Sequence, residues 1–115
     1  MKKETKMSSK KTINFAPFIG EYTYATGKRK TGIAKVRLYK GTGKIMINGL
    51  ELDDYVTVNE LKDIIKGPLI LTKNLQNFDI SVVVMGGGIR GQADSIKHGI
   101  ARALSKHEPE LRTTL

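Results

Sequence analysis

Apolar residues along the chain recur at every second position in some stretches and at every third or fourth in others, and the changes of period divide it into elements. Ala34, Val36 and Leu38 alternate with Lys35 and Arg37, the pattern of a strand with one face in a core and the other face basic. Lys40-Gly41-Thr42-Gly43-Lys44 then predicts a turn into Ile45-Met46-Ile47, making a hairpin with a lysine on either side of its tip, and Asn48-Gly49 predicts the next turn. Thr57 and Glu60 have the spacing of a capping box, Leu61, Ile64 and Ile65 share one helical face, and Gly67-Pro68 marks the expected stop. Phe78, Ile80, Val82 and Val84 alternate first with Asp79 and Ser81, then with Val83 and Met85. This strand turns apolar on both sides and belongs at the centre of a sheet. After Gly86-Gly87-Gly88, the residues Ala93, Ile96, Ile100, Ala103 and Leu104 fall on one stripe, predicting the longest helix, with His107 near its end and Pro109 just beyond. The succession reads as an α+β, two-layer sheet-and-helix domain.

A length of 115 residues allows a single compact domain. Residues 21–115 form that domain in this reading, and residues 1–20 form a basic, disordered arm. Met1 to Thr12 holds five lysines, one acid and no apolar period, too little to offset the entropy of ordering. The absence of cysteine excludes disulfides, thiolate metal sites and a cysteine nucleophile. No apolar stretch approaches the roughly 18 residues of a membrane span, so no membrane partner is expected.

Charge changes the picture more than composition does. Residues 1–50 carry 12 basic and 2 acidic side chains, residues 51–80 carry 3 and 6, and residues 81–115 carry 5 and 3, giving the net +9. A surplus concentrated in one segment makes a directed field that attracts a polyanion. Lys28-Arg29-Lys30 are consecutive cations that repel one another and suit phosphate; they are not a P-loop, because Arg29 stands where Ser or Thr must follow the lysine.

Gly86-Gly87-Gly88-Ile89-Arg90-Gly91 matches the dinucleotide pattern G-x-G-x-x-G between a strand and a helix. That fold also needs a second parallel strand ending in an acid about 20 residues on, and too little chain follows the helix. The physics of the loop persists without a nucleotide. The helix start lacks a Ser, Thr, Asp or Asn cap, so its N–H groups face outward beside Arg90 and Gln92, an arrangement suited to phosphate, or else the glycines serve only a tight turn. His98 and His107 are nine residues apart on one helix and cannot share a metal, and adjacent Asp53 and Asp54 diverge. No catalytic residue, metal site or cofactor is indicated, and the protein reads as a non-enzyme. The alternative is a small nucleotide- or phosphate-binding enzyme fragment using the Gly86 to Gly91 loop.

Three segments in order, Ala25-Thr26-Gly27-Lys28-Arg29-Lys30-Thr31, Gly43 to Gly49, and Gly86-Gly87-Gly88-Ile89-Arg90-Gly91-Gln92-Ala93 with Ile96 to Leu104, resemble the small-subunit ribosomal protein nine family in its bacterial and organellar form. The resemblance spans about Tyr22 to Leu111. It implies a domain like the second domain of ribosomal protein five. It implies a structural role in translation on a cytoplasmic or organellar ribosome, bound to ribosomal RNA of the small-subunit head and beside neighbouring head proteins. Carried over by position, the RNA contacts would be the Gly27 to Lys30 cluster (Lys28, Arg29, Lys30), Lys40 and Lys44, the loop residues Gly86, Gly87, Gly88, Arg90 and Gln92, and Lys97. Family members continue past the segment matching Glu110-Leu111-Arg112 into a long basic tail that reaches transfer RNA at the peptidyl site. The sequence here stops at Leu115, and the transfer RNA contact is an expectation attached to that tail.

Overall fold

A computed structural model of the chain describes residues 15, 18–29, 31–113 and 115. Residues 1–14, 16 and 17 of the expected arm, and Lys30, lie outside the described residues. Five strands, β1 (Tyr22–Arg29), β2 (Gly32–Lys40), β3 (Ile45–Ile47), β4 (Leu50–Glu51) and β5 (Phe78–Met85), form one sheet in the order β1-β2-β5-β3-β4. The helices are α1 (Leu52–Tyr55), α2 (Asn59–Leu71) and α3 (Ile89–His107), followed by a 3₁₀ turn over Pro109–Thr113. This is the expected α+β fold. β5 lies between β2, to which it is antiparallel, and β3, to which it is parallel, and its central place matches its two-sided apolar pattern.

The core forms where the strand and helix periods meet. Ala34, Val36 and Leu38 of β2, Ile80, Val82 and Val84 of β5, and Ile45 and Ile47 of β3 cluster with Ile65 and Leu69 of α2 and with the α3 stripe. Ala93, Ile96, Ile100, Ala103 and Leu104 are all fully buried. The opposite sheet face carries Lys35 and Arg37, and two aromatic residues from the segment before β1 reach it. The Phe18 ring meets Tyr39 edge-on at 5.5 Å, and the Arg37 guanidinium lies 3.9 Å from the Phe15 ring centroid and 4.6 Å from that of Tyr22.

β1 has no hydrophobic alternation because α3 comes too close to it for large side chains. A Cβ on Gly27 would overlap the Ser95 carbonyl oxygen and the Gly99 nitrogen and lie 2.8 Å from the Gly99 Cα. Gly27 is therefore buried in the packing of β1 against α3.

Three local expectations are also revised. Lys40 to Lys44 does not close a hairpin, because β5 inserts between β2 and β3; the segment crosses the start of β5 instead. The capping box is out of register: α2 begins one residue later, with Val58 at the cap position and no side-chain cap bond, so Thr57 lies outside and Glu60 falls one position short of its role. Gly67-Pro68 does not end α2. Proline forfeits one backbone bond, but Pro68 and Leu69 are both buried, and continuing the helix keeps Leu69 in the core. The helix ends instead where Lys73 adopts φ 60°, with the Asn74 N–H donating to the Leu69 carbonyl at 2.8 Å, a left-handed C-terminal cap. The Asn48-Gly49 turn is as expected, with φ 53° and 83°. The Asn48 side chain extends the ladder, donating to the Val84 carbonyl at 3.2 Å and accepting from the Val84 N–H at 2.9 Å.

Candidate nucleic-acid interface

The β1–β2 turn, the glycine loop after β5 and the first turns of α3 meet at one end of the sheet. Gly86 and Gly87 have φ 77° and 72°, conformations that L side chains rarely adopt. A Cβ on Gly86 would also overlap the Thr31 carbonyl oxygen, so the glycine loop is seated against the turn that follows Lys28 and Arg29 at the end of β1. Gly88 is the N-cap of α3 and supplies no side-chain bond. The first-turn N–H groups consequently have no side-chain cap, and the positive end of the helix dipole lies beside exposed Arg90. Arg29 and Lys97 line one shallow groove with Asp94, His98 and Ala101. Lys28, Arg29, Arg90 and Lys97 are all exposed; Arg90 stands in the first turn of α3, while Lys28 and Arg29 lie level with Lys97 two turns further on, so the cations form a row that runs from the uncapped helix start along α3 and the end of β1, a geometry suited to a phosphate backbone.

Gln92 is partly committed elsewhere. The Tyr55 hydroxyl donates to its Oε1, tying α1 to the first turn of α3. Burial pushes the Tyr55 hydroxyl up to about 12.

Lys40 and Lys44 stand apart from this cluster. Eight steps along β2 separate Gly32 from Lys40, roughly 26 Å at the strand rise. At that far end the Asp79 carboxylate accepts from the N–H groups of Thr42, Gly43 and Lys44 at 3.0, 3.2 and 3.0 Å. Partial burial alone would raise the Asp79 pKa, but the three N–H donors and the Lys44 charge outweigh it and hold the carboxyl below its ordinary value. A Cβ on Gly41 would overlap this carboxylate. The Gly-Thr-Gly spacing thus serves a carboxylate-binding loop first.

Sequence reasoning passed over a row of bonds along α3. His98 Nδ1 lies 3.3 Å from the Lys28 carbonyl, Arg102 donates to the Thr26 carbonyl at 3.0 Å, and Lys106 donates to the Tyr24 carbonyl at 2.6 Å. The signal was available in the spacing of three basic residues four apart. His107 points elsewhere, its ring edge-on to Phe78 at 5.1 Å, so the two histidines do not converge. The G-x-G-x-x-G loop has no strand after α3 among the described residues, so the dinucleotide architecture is not formed.

Comparison with known proteins bears on this geometry. A family model described as ribosomal protein S9/S16 matches residues 27–115. The chain belongs to this family. It is 50% identical over 95 residues to the protein named small ribosomal subunit protein uS9 from Lawsonia intracellularis, covering 83% of this chain and 73% of the relative. The uS9 protein of Maridesulfovibrio salexigens matches with the same identity and coverage. The S9 match takes in β2, β5, α3 and the glycine loop, and the charge distribution across them is polar. Exposed acids Glu51, Asp53, Asp54, Glu60 and Asp63 lie on β4, α1 and α2. The exposed cations of the glycine-loop end lie on β1 and α3, which places the basic side of this S9-family domain at the β1 edge of the sheet. Among the described residues, no helix is long and apolar enough to cross a membrane.

Proposed function

We propose that this chain is a structural constituent of the small ribosomal subunit that binds ribosomal RNA in the subunit head through the glycine-loop end of the sheet. Its partners in this reading are that RNA and neighbouring head proteins. The observation that carries the proposal is the row of exposed cations, Arg90 in the first turn of α3 and Lys97, Arg29 and Lys28 two turns further along, next to a glycine loop that lets a phosphate backbone approach. Lys30 completes the sequence cluster, and Lys40 and Lys44 make a second, separate contact. The domain acts by binding and positioning RNA, with no chemistry of its own. Peptidyl-site transfer RNA is close by in this placement.

Binding to small-subunit ribosomal RNA, measured as a function of salt, tests this. Each neutralised phosphate contributes a slope of about −0.7 to −0.9 in log K against log salt. Replacing Lys28, Arg29 and Arg90 together with alanine should make the slope shallower by about 2 to 3 while the circular dichroism stays unchanged. An unchanged slope with an unchanged fold would remove this end of the sheet from the interface.

A further inference from the structure

β1 is the outer strand of the sheet, and an outer strand normally offers its unpaired backbone groups to any extended chain. Here the outward carbonyls of Tyr24, Thr26 and Lys28 are occupied by Lys106, Arg102 and His98 respectively. The match is metric. Four residues of helix rise about 6.0 Å, and two residues of strand rise about 6.6 Å. A stripe of side-chain donors at positions 98, 102 and 106 therefore keeps step with carbonyls at 28, 26 and 24 as the two elements run antiparallel. Since a carbonyl only accepts, His98 contributes from the tautomer that carries its proton on Nδ1.

We propose that His98, Arg102 and Lys106 form a lock that closes the β1 edge against strand addition, and that the partner they exclude is a second copy of this chain. The edge is self-complementary. In an antiparallel pairing about a two-fold axis, Thr26 would face Thr26, and Tyr24 would face Lys28 in both directions. A residue whose carbonyl faces away from its neighbour in the sheet also turns its N–H outward, so each pair could exchange both backbone bonds. Tyr24 and Lys28 project from the same sheet face, where a cation over a ring favours the pairing further. The chain thus carries a dimerisation surface and the side chains that keep it shut. The lock keeps the protein monomeric, and because it spends its donors on backbone oxygen atoms it stands independently of the RNA-binding reading.

The test is sedimentation velocity on the full chain and on Arg102→Met/Lys106→Met, which preserves the apolar length of the side chains and removes both donors. The parent is expected to stay a monomer and the double variant to double its mass. Adding Thr26→Pro, which deletes an outward N–H without breaking the bonds between β1 and β2, should return the double variant to a monomer. Amide exchange at Tyr24, Thr26 and Lys28 should slow in the dimer relative to the parent. Lys106→Met alone, which leaves two of the three contacts in place, should dimerise partially and serves if the double variant does not fold. A folded double variant that remains a monomer overturns the lock. So does a dimer that persists with Thr26→Pro, since the association would then use another surface. A parent that dimerises at about 1 M salt, where screening acts within about 3 Å, would show simple charge repulsion and overturn it as well.

Discussion

Gly27→Ala adds one methyl group at the point where β1 and α3 touch. The new carbon would overlap the Ser95 carbonyl oxygen and the Gly99 nitrogen. Both atoms belong to the backbone of α3 and cannot rotate away, so the helix must lift from the strand. Overfilling a packed interior costs about 1–3 kcal/mol, occasionally more, and the rigidity of both partners puts this case at about 3 kcal/mol or above. For a domain near this size each kcal/mol moves the melting temperature by about 4–8 °C, so thermal unfolding followed by circular dichroism should show a loss on the order of 12–24 °C. Gly91→Ala is the matched control: a Cβ there meets nothing within 4 Å, and alanine is favoured over glycine in a helix by about 1 kcal/mol. Gly91→Ala should therefore be neutral or stabilising yet weaken ribosomal RNA binding, because the added group stands where backbone and phosphate would meet. A melting temperature for Gly27→Ala within about 4 °C of the parent would refute the close approach of β1 and α3.

Asp79→Asn should cost about 1–2 kcal/mol, since three N–H groups lose a charged acceptor that is partly solvated. Because the folded Asp79 pKa lies below its ordinary 3.8, the stability it contributes is present above that value and is lost as pH falls through the folded pKa; acid unfolding of the Asn variant should lack that component. Tyr55→Phe should cost about 0.5–1.5 kcal/mol through loss of the bond to Gln92. With the folded Tyr55 hydroxyl raised from 10.0 to about 12, its contribution is complete below pH 10 and declines as pH rises toward 12. Alkaline unfolding monitored by tyrosine absorbance should therefore begin earlier in the parent than the Phe variant's stability curve alone would suggest.

The elements that could be read from the sequence are those whose periodicity is paid for by the core. β2, β5 and α3 each place an apolar residue wherever the opposite layer needs one, so their patterns fixed the two-layer arrangement. β1 carries no such period, because close packing against α3 replaces large side chains by Thr23, Ala25 and Gly27. The crossing of Lys40 to Lys44 was misjudged because a short Gly-Thr-Gly segment satisfies a hairpin turn and a carboxylate nest equally well, and only the long-range bonds to Asp79 distinguish them. α2 outran its expected stop because the burial of Leu69 outweighed the one backbone bond lost at Pro68. At the candidate interface, the local motifs Lys28-Arg29 and Gly86 to Arg90 were legible one by one. Their adjacency was not, since it depends on β2 and β5 pairing Ile33 with Met85.

The positive charge of the chain divides by use, which a net count hides. Arg102 and Lys106 bond the β1 edge, Arg37 lies against the rings of Phe15 and Tyr22, and Lys62 pairs with Asp53 at 3.1 Å. Lys28, Arg29, Arg90 and Lys97 face outward at one end, and Lys40 and Lys44 do so roughly 26 Å away along β2. That separation exceeds the screening length of about 8 Å at physiological salt, so in the proposed reading the two ends act on RNA as separate fields. Lys28→Ala/Arg29→Ala and Lys40→Ala/Lys44→Ala should accordingly weaken RNA binding additively, with a coupling below about 0.5 kcal/mol in a double-mutant cycle. Cations within one end should couple more strongly, because removing Arg90 after Lys28 and Arg29 acts on the same stretch of phosphates. If the two ends coupled by more than about 1 kcal/mol, a single rigid RNA surface would have to span both, or RNA binding would have to reshape the sheet between them.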